Sequence, residues 1–263
     1  NNPSRIEIDL ASSLVKGRIT DERVVFADIN AHFEDENGDV PIDIMYDHVH
    51  LTTKGYQFWA DALLPYIGLR KEDIITPETA IPVNNTRPWW RTRHEQKLLA
   101  DKSDMKLLFI GDSITQHWES EGFGLPIWQQ YFDQNTTFNL GYTSDRTQNV
   151  LWRIENGELD GIAPQYTVLM IGTNNAKLNT GSDVAYAIEL IIDRILAKLP
   201  STQLLVFRIF PRGDADNPAR ITNDEASQII KNQVIDERVT FIDINAYFED
   251  ENGDVPIDIM YDH

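Results

Sequence analysis

Three polar strings in this chain stand at places where side-chain chemistry is possible. GDSIT (111–115) closes an apolar run and puts Ser113 in a turn. A hydroxyl there would sit at the carboxyl edge of a parallel sheet, where open α/β folds keep their sites, and could act as a nucleophile. A Ser after Asp in such a turn is equally an ordinary helix N-cap. GTNN (172–175) closes a second apolar run. Asn174 Nδ2 could bond a developing oxyanion, or the string could be a polar turn. YDHVHLTTKGY (46–56) carries Asp47 and His50, three positions apart. In a turn, that spacing can set carboxylate beside imidazole. The carboxylate on Nδ1–H fixes the tautomer and leaves Nε2 to take a proton from a serine. Asp47, His48 and His50 could also ligate a metal, but no further cluster is spaced to complete such a site, and none is expected.

These strings need elements to hold them. MKLLFIGDS (105–113), TTFNLGYTSD (136–145), YTVLMIGTNN (166–175), QLLVFRIFPR (203–212) and VTFIDIN (239–245) read as buried strands. Helical stretches lie between them at 146–159, 182–199 and 223–233, with Ser182 placed to cap the second and Pro200 to end it. A last helix is expected over 55–67, and VVFADIN (24–30) reads as a sixth strand. Continuous apolar strands alternating with helices predict a parallel sheet covered on both faces. Residues 70–88, with three prolines and few periodic apolar positions, read as a linker, and 89–102 as a helix leading into the first strand.

Composition narrows the partners. The net charge of −19 disfavours nucleic acid and anionic membranes. No run of about 18 apolar residues predicts a membrane span. With no cysteine, disulfides, thiolate metal sites and thiol nucleophiles are excluded.

Taken together, the strings resemble the SGNH (GDSL) hydrolase superfamily, and within it the catalytic subunits of platelet-activating-factor acetylhydrolase and their bacterial relatives. The resemblance rests on LLFIGDSITQHW (107–118), VLWRIENGELDGIAPQ (150–165), VLMIGTNN (168–175), FPRGDADNPAR (210–220), DHVHLTTKGYQFWA (47–60) and WWRTRHE (89–95). It implies a flavodoxin-like three-layer α/β/α sandwich and an acyl-enzyme mechanism without cofactor or metal. By position, Ser113 would be the nucleophile, His50 the base and Asp47 its orienting partner. The oxyanion hole would comprise the Ser113 and Ser144 backbone N–H groups and Asn174. The chain departs from the family at Ser144: relatives read N-x-G-x-G-G-D where this chain reads NLGYTSD (139–145). The N–H survives that change, whereas backbone angles open only to glycine would not. Tyr142, Asp145 and Trp118 are expected near the substrate, and Trp128 in the core. The implied function is a serine esterase for short acyl groups, acetyl first, on small acylated substrates or acetylated polysaccharide. An acetylated ether phospholipid is the second reading, and a glycan-binding module that has lost turnover is a third.

The chain also repeats itself. Residues 216–263 match 1–48 at an offset of 215, with 33 of 48 pairs identical and 25 of 28 over 236–263. The domains expected are therefore the rear part of one module (1–69), a linker and leader helix (70–97), and the front and middle of a second (98–263), cut from a tandem array. The complete D-x-x-H lies ahead of the serine, and the second copy reaches only Asp262–His263. A working site would need 1–67 to complete a module permuted across the chain ends, or to exchange with another copy of the chain.

Overall fold

The computed structural model describes residues 3–35, 38–47, 49–67, 76–234 and 236–260. They divide into two compact units, Asn1–Ile75 and Thr76–His263.

The second unit carries the sheet. Its strands are β1 (Leu107–Gly111), β2 (Thr137–Gly141), β3 (Tyr166–Met170), β4 (Gln203–Phe207) and β5 (Val239–Ile242), in the order β2-β1-β3-β4-β5. All four pairings are parallel. This is the flavodoxin-like order, with its switch point beside β1. Each strand is shorter than its apolar run, because the last residues of each run peel away to form the site loops.

The helices are α3 (Pro88–Leu99), α4 (Ser113–Gln116), α5 (Leu125–Tyr131), α6 (Thr147–Glu155), α7 (Gly181–Lys198) and α8 (Pro218–Gln233). The short α4 and α5 carry too few apolar repeats to announce themselves in the sequence. Alternation along β1 sends Leu108 and Ile110 into the core shared with α6 and α7, where Val150, Ile154, Val184, Ile188 and Ile191 are buried. Phe109 faces the other way, with ring centroids 5.1 Å from Trp128 and 5.4 Å from Phe132. Both faces are thus covered, as an all-parallel sheet requires. α7 is capped by Thr180, whose hydroxyl accepts from Asp183 N–H, and not by Ser182.

Residues 76–87 correct the expected linker, whereas α3 falls where the leader helix was expected. Thr79 and Ala80 are buried. Thr79 Oγ1 donates to the Asp183 carbonyl (2.6 Å), and Val83 N–H to the Gln148 carbonyl (3.0 Å). The prolines shape a strap that is tied to α6 and α7 by side-chain and backbone hydrogen bonds, so composition alone misread it as a spacer. Residues 68–75 lie outside the described set.

The first unit has helices α1 (Pro3–Arg18) and α2 (Thr53–Leu63), with Phe33, Ile44, Ala62 and Leu64 as its buried apolar residues. Residues 24–29 form no strand. Their twin, β5, is held by β4 (Leu204↔Val239 to Phe207↔Ile242). Inside the first unit no parallel neighbour is described, and an unpaired strand has no stability of its own.

Candidate active site

Ser113, Ser144 and Asn174 follow the last residues of the adjacent strands β1, β2 and β3 by two, three and four positions. Glycine ends both β1 and β2 and lets the first two of these turns form. A Cβ on Gly111 would lie 2.1 Å from Thr115 Oγ1, and one on Gly141 would lie 2.2 Å from the Gln116 N. Only bare backbone lets the nucleophile helix press against both strand ends. Asp112 caps that helix by accepting from Ile114 N–H (2.9 Å). Burial pushes the Asp112 carboxyl up to about 7, and its Oδ2 has no partner among the described residues.

Around Ser113 the donors are open. Neither Ser113 N–H nor Ser144 N–H finds an acceptor among the described residues. Ser144 has φ +65°, the one non-glycine positive φ described. That left-handed conformation costs an L-residue about 1–2 kcal/mol, so serine keeps the backbone geometry at a price in stability. One Nδ2 hydrogen of Asn174 donates to the Asp145 carbonyl (2.8 Å), which fixes the amide and leaves its second hydrogen available. Asn175 has a different job: its Oδ1 accepts from Thr147 N–H and its Nδ2 donates to Gln148 Oε1. The two asparagines of GTNN therefore divide into one at the site and one tying β3 to α6.

Two residues expected at the substrate are core instead. Tyr142 is fully buried, and its hydroxyl donates to Glu158 Oε1. Asp145 is fully buried too, accepting from Trp90 Nε1 on Oδ1 (2.6 Å) and Arg153 Nε on Oδ2 (2.9 Å). Next to a catalytic loop, polar character is a poor guide to which way a side chain turns. Trp118 is half-buried and packs on Trp128 and Phe132, while Trp128 is in the core.

These contacts belong to a buried polar network that the strings WWRTRHE and LWRIENGEL carried unrecognised. Arg153 bridges Asp145 and Glu158, and His94 Nδ1 lies 2.7 Å from Glu158 Oε1. Burial raises the Asp145 carboxyl to about 6 against the pull of Arg153. For Glu158, burial pushes up, but Arg153, His94 and Tyr142 outweigh it and hold the carboxyl below its usual range. The available signal was an Arg and a Glu five apart, Arg153 and Glu158, just after the apolar Val150–Trp152 run.

The first unit presents the D-x-x-H turn ready-made. Asp47 Oδ1 accepts from the backbone N–H of Val49 (3.0 Å) and His50 (2.7 Å), and Asp47 Oδ2 lies 2.7 Å from His50 Nδ1. The His50 backbone and ring bonds hold the Asp47 carboxyl at about 2. With the proton on Nδ1, Nε2 is the basic nitrogen, and the His50 side chain is 67% exposed. The following L-T-x-x-G supports this turn. Thr52 caps α2 by accepting from Gly55 N–H, and a Cβ on Gly55 would meet the Ile44 carbonyl at 2.4 Å. His48, Asp262 and His263 lie outside the described residues.

Chemically, the second unit offers a hydroxyl beside donors suited to an oxyanion, and the first offers an oriented imidazole. The sequence of residues 109–263 matches the GDSL-like lipase/acylhydrolase family. Platelet-activating factor acetylhydrolase IB subunit alpha2 of Rattus norvegicus is 33% identical over 175 residues, spanning 66% of this chain and 74% of that protein. Subunit alpha1 of Homo sapiens is 32% identical over 177 residues, with the same shares of each. Among solved structures, an acetylxylan esterase from Geobacillus stearothermophilus aligns at 17% identity and TM-score 0.45, covering 61% of this chain and 91% of that one.

Proposed function

Because the chain belongs to the GDSL-like lipase/acylhydrolase family and is a carboxylic ester hydrolase, we propose that it removes acetyl groups from carbohydrate esters with Ser113, His50 and Asp47. Ser113 Oγ attacks the ester carbon, and its proton passes to His50 Nε2. The oxyanion accepts from Ser113 N–H, Ser144 N–H and Asn174 Nδ2. Collapse breaks the C–O bond, and the departing alcohol takes the proton from His50. Water then attacks the acetyl-enzyme, again through His50, and acetate leaves. Asp47 keeps the ring tautomer and steadies the imidazolium.

The observation that supports this reading is the set of N–H groups at Ser113 and Ser144 that find no acceptor among the described residues, together with an asparagine amide anchored by the Asp145 carbonyl. Acetyl as the acyl group is supported by the relatives' names. Those names also favour the second reading, an acetylated ether phospholipid. His50 serves Ser113 either within one chain or from a second copy that lends residues 1–67. Hydrolysis of acetylated xylan and of an acetylated ether phospholipid, compared in one assay, separates the substrates. Ser113→Ala should lower kcat by on the order of 10⁶-fold; a variant retaining full turnover removes Ser113 as nucleophile.

A further inference from the structure

Trp89 and Trp90 are neighbours on the first turn of α3, yet they are placed oppositely. Trp90 is fully buried, stacked with His94 and tilted against Tyr142 and Trp152. Trp89 is 41% exposed. A single exposed apolar side chain needs no explanation by itself. Trp89, however, lines a recess of about 330 Å³ whose other walls are Arg87, Gln116 and Thr143. Two of those walls are continuous with the nucleophile site. Gln116 is the last residue of the helix that Ser113 opens, and Thr143 precedes Ser144. Gln116 Oε1 accepts from Thr143 N–H (2.6 Å), so the amide ties helix to loop, and its Nε2 has no partner among the described residues. A larger recess of about 410 Å³, between α8 and β5, shares no residue with this edge.

Resting on the esterase reading, we infer that Arg87, Trp89, Gln116 and Thr143 form the subsite for the sugar that carries the scissile acetyl group. One flat aromatic face flanked by donors and a hydroxyl matches a ring with an apolar CH face and a polar rim. Arg87 supplies fixed N–H donors for sugar hydroxyls. The alkyl chain of an ether phospholipid would find a single apolar wall here, and an Arg beside the aromatic face opposes a choline cation. The sugar would lie beside Ser113 with its acetyl directed to the oxyanion donors.

Two measurements on the full chain test this. Ethyl acetate is the reference ester, because its alcohol carries no sugar ring. Trp89→Ala should lower kcat/KM on acetylated xylo-oligosaccharides relative to ethyl acetate by about tenfold, through KM. Arg87→Gln should move the ratio the same way by less. Equal losses on both esters, or an unchanged ratio, overturn the subsite; so does a loss confined to an acetylated ether phospholipid, which would make the recess a headgroup site. The second measurement needs no turnover. Tryptophan fluorescence of the Ser113→Ala chain should saturate with unacetylated xylotetraose, and the response should vanish in Ser113→Ala/Trp89→Ala. Saturation without any esterase activity in the unmodified chain would overturn the catalytic reading and keep the subsite. No saturation alongside normal esterase activity would do the reverse.

Discussion

Ser144 is the residue at which this chain parts from its family's glycine, and the substitution is a trade. Its left-handed backbone costs about 1–2 kcal/mol as serine. Glycine would remove that strain but lose about 0.5–1 kcal/mol more chain entropy on folding. Ser144→Gly should therefore leave stability unchanged or raise it by up to about 1.5 kcal/mol, read from denaturant midpoints of the second unit. Because φ is already +65°, the N–H keeps its direction, and kcat should stay within about threefold. A drop of tenfold or more would show that the Ser144 side chain itself acts in catalysis. Ser113 and Asn174 were legible as residues just past strand ends, and Asp47 with His50 as a paired turn, because each sits in a string with a recognisable order. Tyr142 and Asp145 were misread because nothing local distinguishes a polar residue facing a cleft from one paired beneath it.

At the scale of elements, α3 is fastened to the loop between β2 and α6. Trp90 donates to Asp145, whose carbonyl holds Asn174, and Arg153 joins Asp145 to Glu158 and so to His94 of α3. This explains why the leader helix belongs to the module. Removing the shared cation would leave buried Asp145 with Trp90 and buried Glu158 with Tyr142 and His94, without the guanidinium between them. Arg153→Met should destabilise the second unit by about 3–5 kcal/mol at pH 7. The sign with pH follows from the same contacts. Without Arg153 the native state would favour protonated Asp145 and Glu158 more than the unfolded chain does, so acid should relieve the loss. Equilibrium denaturation at pH 7 and pH 5 checks this; a penalty equal at both would mean that lost packing dominates. Strands and long helices were legible from apolar runs and spacing. The strap at 76–87 was not, because its stability comes from one backbone bond to Gln148, from side-chain bonds to its carbonyls and from buried Thr79, which leave no periodic trace.

At the scale of the whole molecule, the duplicated segment bears on the proposal that His50 serves Ser113 as base. The two variants Ser113→Ala and His50→Ala should each be inactive. If chains exchange residues 1–67 pairwise, mixing them after unfolding and refolding should restore about one quarter of the activity, since half the dimers are mixed and one of their two sites is intact. If each chain completes its own site, the mixture should stay inactive. Esterase assay of the refolded mixture distinguishes these outcomes.

The duplicate also separates what sequence determined from what tertiary structure decided. Local features recur in both copies. α1 and α8 each span 16 residues at the same offset. Arg23 grips Asp21 as Arg238 grips Asp236. Gly38 and Gly253 both turn at positive φ, and Asp39 and Asp254 N–H donate to Asp35 and Asp250 in the same way. These depend on contacts within a few residues, which the sequence carries with it. Strand and core do not recur. Residues 239–242 are β5 because β4 supplies a ladder, while 24–27 are the same segment without one. Ala226 and Ile230 are buried, whereas their twins Ala11 and Val15 are exposed. A turn closes on its own hydrogen bonds; a strand, or an apolar helix face, needs a surface that only the rest of the fold can provide.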